Sequence, residues 1–86
     1  MPVSVHHPKY KALQAVLVEM RRQAGLSQTQ LADRLGVGQS YISKIERAEA
    51  YVDVFVYVDW VGACGVRPGL ALDLLVEPFN SDASYL

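Results

Sequence analysis

Over residues 27–47 two short runs of helical apolar spacing meet at the glycine-bounded turn Gly36-Val37-Gly38, and this arrangement constrains the fold more than any other feature of the chain. Ser27 stands three residues before Gln30, the capping-box pattern that opens a helix. Leu31, Ala32 and Leu35 then share one side, and Gly36 closes the run. Gly38, Gln39 and Ser40 open the next run, whose inward face is Ile42 and Ile45 and which ends near Arg47. Gly36 supplies the positive φ that a tight turn between helices demands. Ala32, a small residue, and Val37, a β-branched one, flank that glycine on either side. Leu31, Leu35, Ile42 and Ile45 are left to seal the pair against the preceding helix. Two short helices joined by so tight a turn form one rigid hairpin that needs a further helix to cover its apolar side.

The flanks read less evenly. Residues 1–8 read as a loose arm, with Pro2, His6, His7 and Pro8 opposing an early helix start. Over residues 10–24, Leu13, Leu17, Met20 and Ala24 recur at helical spacing, and Gly25 stops that helix. Residues 51–58 are dense in β-branched and aromatic side chains, which by propensity is a strand. A helix there puts Val54, Tyr57, Val61 and Cys64 on one face, starts at Asp53 and ends at Gly65. Gly62 inside that helix costs roughly 1 kcal/mol relative to alanine. Local sequence leaves the strand and the helix even. Pro68 suits the first turn of a last short helix, with Leu70, Leu72, Leu74 and Leu75 available for burial before Pro78. The expected division is an arm over 1–8, one domain over 9–76 and a tail over 77–86.

Composition narrows the function. A chain of 86 residues, 51% hydrophobic and 20% charged, builds one small folded domain. The lone Cys64 rules out an internal disulfide and fits a reducing cytoplasm. No apolar run approaches the ~20 residues of a membrane span, and the first residues lack signal-peptide anatomy. No nucleophile with a matching base and no phosphate-cradling glycine loop stands out, so no enzyme is expected. His6 and His7 lack a third ligand, so neither metal nor cofactor is expected. The net charge of −1 conceals a division: residues 1–47 carry +4 and residues 48–86 carry −5. Such polarity suits one face turned to a polyanion and another turned away.

Residues 28–46 resemble the helix-turn-helix of the lambda-repressor-like, XRE-type transcriptional regulators. The run Gly25-Leu26-Ser27-Gln28 is typical of that family's entry into its second helix, and Arg21 and Glu46 occupy positions where the family commonly makes a partly buried ion pair. The resemblance implies an all-α, five-helix domain with the helix-turn-helix at its second and third helices. It favours helices over residues 52–75, against the strand. By the same resemblance Gln39, Ser40 and Lys44 read DNA base edges, Tyr41 and Ser43 meet bases or phosphates, and Gln28 meets a phosphate. Arg22, Arg47, Lys9 and Lys11 are candidates to neutralise phosphates, the two lysines also as part of a wrapping arm. Some positions depart from the pattern. Ala48 stands where a glycine is common, Ala48-Glu49-Ala50 brings no positive charge, Gly38 lacks the usual cap hydroxyl, and Arg67 replaces a frequent capping Asp or Ser.

The implied function is a regulator of double-stranded DNA, a dimeric repressor at a near-palindromic operator. Phe55 and Val56, apolar near the outer side of the fourth helix, are the candidate dimer surface. The alternative is an antitoxin-like module that binds a partner protein through its C-terminal half.

Overall fold

The computed structural model describes residues 6–73. Five helices follow in order, with no strand among the described residues: α1 Pro8–Gln23, α2 Gln28–Leu35, α3 Gln39–Glu46, α4 Val54–Ala63 and α5 Pro68–Asp73. Residues 1–5 of the expected arm and the whole of the expected tail over 77–86 lie outside the described residues.

Each boundary has a local cause. Pro8 does not delay α1 but begins it, at the first helical position, where its missing N–H has no partner to lose. His7 caps it, its Nδ1 accepting from the Lys9 amide. This corrects the arm: Lys9 and Lys11 are turns of α1, not of a flexible strap. The Ser27–Gln30 capping box of α2 forms in both directions, at 3.0 and 2.8 Å. Gly36 adopts φ 72°, and the amides of Gly36 and Val37 reach back to the carbonyls of Asp33 and Ala32. Gly38 precedes α3 with no side-chain cap, as its lack of a hydroxyl requires.

The ambiguous segment is helical. Asp53 Oδ1 accepts from the Val56 amide at 2.9 Å, and burial falls on Tyr57, Trp60 and Val61, at helical rather than alternating spacing. Tertiary packing overrides β propensity here. Trp60 is fully buried and its Nε1 donates to the Leu17 carbonyl at 3.1 Å, fastening α4 to α1. Around it Leu17, Met20, Leu31, Ala32, Ile42, Ile45 and Val61 form the core. Leu35 and Val37 pack at its edge.

Three expectations about apolar faces need correction. Val54 is 66% exposed, because it rims an open groove of about 310 Å³ with Leu13, Val58 and Leu72 instead of reaching the core. Leu70 and Leu72 are exposed on α5, while Leu74 and Leu75 fall outside the described residues. Val56 is half-buried against the core, since it lies one turn before Trp60 and shares its side; Phe55, at 78% exposure, does face outward.

Candidate nucleic-acid interface

The site is built on α3. Ile42 and Ile45 anchor one side of this helix at no more than 1% exposure, which forces the intervening residues outward. Gln39, Ser40 and Lys44 are exposed, as their assignment to base edges needs. Tyr41 and Ser43 are half-buried: the Tyr41 ring packs against the core, and the Ser43 hydroxyl accepts from Arg47 Nη1.

The ends of α1, α2 and α3 meet in one hydrogen-bonded chain. Arg21 Nε and Nη2 donate to Glu46 Oε2 and Oε1 at 2.6 and 3.0 Å, a two-pronged pair with both side chains nearly buried. The expected pairing of these two residues is present. Arg21 Nη1 also donates to the Leu26 carbonyl at 2.8 Å. The Glu46 hydrogen bonds hold the Arg21 guanidinium above its already high pKa, against the opposing effect of burial. Glu46 Oε1 also accepts from Gln28 Nε2 at 2.9 Å, and Gln28 Oε1 accepts from Gln39 Nε2 at 2.7 Å. The family resemblance marked the first pair but not the two amide links, which join residues 18 and 11 positions apart.

The cations are unequally available. Lys44, Arg22, Lys9 and Lys11 are exposed. Arg47 is paired instead: its Nε and Nη2 hold both Glu49 oxygens at 3.1 and 3.0 Å in an open, solvated bridge. The pairing raises the Arg47 pKa and lowers that of Glu49. Glu49 in the acidic loop thus offsets one positive charge beside α3. Arg34, given no role from sequence, donates from Nη1 to the Ala63 carbonyl at 2.9 Å and so ties α2 to the end of α4.

Among the described residues no group of His, Cys, Asp and Glu is arranged to hold a metal ion, and no helix is long and apolar enough to cross a membrane. What the exposed side of α3 offers is amide, hydroxyl and ammonium groups, a donor–acceptor set of the kind that meets base edges.

Comparison with known proteins agrees. A family profile described as Helix-turn-helix matches residues 17–70. A solved structure, described as an XRE-family like protein from Pseudomonas syringae pv. tomato str. DC3000, is similar with 41% identity and a TM-score of 0.77, covering 83% of this chain and 87% of its own. No curated protein matches the chain significantly.

Proposed function

Since the chain belongs to the XRE-type, lambda-repressor-like helix-turn-helix family of DNA-binding regulators, we propose that it represses transcription as a dimer bound to a near-palindromic operator. In this reading α3 enters the major groove. Gln39, Ser40 and Lys44 address base edges there, with Tyr41 and Ser43 at bases or backbone oxygens. Gln28, Arg22, Lys9 and Lys11 serve phosphates, and Arg47 does so once released from Glu49. The observation that carries the reading is the exposure of Gln39, Ser40 and Lys44 on a helix whose opposite side is locked into the core by Ile42 and Ile45.

The dimer is supported by an apolar surface on α4, where Val54, Phe55 and Val58 are all exposed. Two copies joined there are proposed to place their recognition helices in half-sites about 34 Å apart. The same surface supports the second reading, an antitoxin-like partner contact, and both place the protein in the cytoplasm without a catalytic step. Selection of duplex DNA from a random pool by the purified protein tests the proposal. Enrichment of paired half-sites one helical turn apart is the expected result; a pool that stays random overturns it.

A further inference from the structure

The hydrogen-bonded chain from Arg21 to Gln39 has a direction, and Glu46 sets it. An ionised carboxylate only accepts, and both Glu46 oxygens already take bonds from Arg21. The Gln28 atom that meets Glu46 Oε1 is therefore the amide nitrogen, which turns the Gln28 carbonyl oxygen toward Gln39. Gln39 in turn must offer a hydrogen to that oxygen. Its remaining outward groups are then one N–H and the carbonyl oxygen.

We infer that Glu46 is a specificity-determining positioning residue, which fixes the amide orientation of Gln39 and so selects adenine over guanine at one operator position. This rests on the DNA-binding reading above but goes beyond it. One donor beside one acceptor matches N7 and N6 of adenine. Guanine offers two acceptors, N7 and O6, and would set O6 against the Gln39 carbonyl. Glu46 touches no base in this scheme; it acts through Gln28.

The chain predicts what happens when its origin changes polarity. In Glu46→Gln the new carbonyl oxygen stays with Arg21 and the new amide donates toward Gln28. Gln28 then turns over, its nitrogen donates to the Gln39 carbonyl, and Gln39 presents both amide hydrogens outward. That arrangement suits guanine. In Gln28→Met the chain is cut while the Arg21–Glu46 pair is untouched, so Gln39 is free to take either orientation.

The experiment titrates the full-length protein and its variants with duplexes carrying each base at the operator position that Gln39→Ala identifies, with thermal unfolding of each variant measured alongside. The expected result is about a tenfold or greater preference for adenine over guanine in the parent protein. Gln28→Met brings the two bases to near-equal affinity, and Glu46→Gln reverses the preference. An unchanged adenine-to-guanine ratio in folded Glu46→Gln overturns the inference, as does uniform weakening for all bases, which a purely structural role would give. Should Glu46→Gln fail to fold, Gln28→Met decides: a retained adenine preference overturns the inference, and its loss supports it. If the parent protein selects no base at all, the DNA-binding reading fails and this one with it.

Discussion

Arg21 and Glu46, 25 residues apart, meet through two hydrogen bonds of 2.6 and 3.0 Å and join the end of α1 to the end of α3. Helix α3 is thereby pinned at its last residue as well as by its apolar side. With both side chains nearly out of water, removing one partner strands the other. Arg21→Met is expected to cost about 3 kcal/mol, and Arg21→Met with Glu46→Met to recover much of that loss. Urea denaturation measures both; equal destabilisation by the single and double variants would contradict the pairing as the cause.

Ala48 takes φ 58° at the end of α3, the same left-handed turn that Gly36 makes at 72° after α2. The Glu49 amide closes the turn on the Lys44 carbonyl at 2.8 Å, so the conformation is held despite the Cβ. Ala48→Gly should gain roughly 1 kcal/mol and Gly36→Ala should lose a similar amount. Melting temperatures moving in opposite directions are the expected signature.

Removing the Glu49 charge releases Arg47 at the end of α3. Glu49→Gln is expected to tighten DNA binding at low salt and to steepen the salt dependence by up to about 0.9 in log–log slope, one further phosphate. Lys44→Ala should instead cost ~1–3 kcal/mol chiefly at particular base pairs. Titrations at several salt concentrations separate the two kinds of contact.

Phe55 is the most exposed large apolar residue among those described. Phe55→Ser is expected to shift a dimer toward monomer in sedimentation while leaving the fold unchanged, because the ring contributes little to the core. A wild-type chain that is monomeric at all accessible concentrations would remove this role.

Burial raises the pKa values of the Cys64 thiol and the Tyr57 phenol. The folded state therefore holds these protons at pH values where the unfolded chain has lost them, and stability falls as pH rises. The loss should begin above the ordinary thiol value of about 8.5 and continue through the raised folded values. Cys64→Ala is expected to flatten the first part of that decline, followed by denaturation midpoints between pH 8 and 11. Thiol reagents at pH 7 should likewise modify the folded protein slowly.

Much of this molecule was legible from short-range pattern. The capping box at Ser27 and Gln30, the left-handed turn at Gly36 and the buried sides of α2 and α3 follow from residues within one or two helical turns of each other. The exposure of Gln39, Ser40 and Lys44 follows too, because Ile42 and Ile45 leave them only one direction. These features are local, and local stereochemistry is written in consecutive residues. Even the Arg21–Glu46 pair was legible only through family resemblance, not through spacing.

The rest was decided in three dimensions. Residues 51–58 have strand propensity, yet α4 forms because a helix lets Tyr57, Trp60 and Val61 enter the core together and lets Trp60 bond to Leu17 on α1. Whether Arg47 is an available cation, and which atom of Gln28 meets Glu46, depend on partners brought together by folding. Sequence alone determined the turns and the two-helix motif, since backbone conformation answers first to near neighbours. Tertiary structure alone decided the amide polarity and the exposed surface of α4, because hydrogen bonds and burial depend on what lies across space, not along the chain.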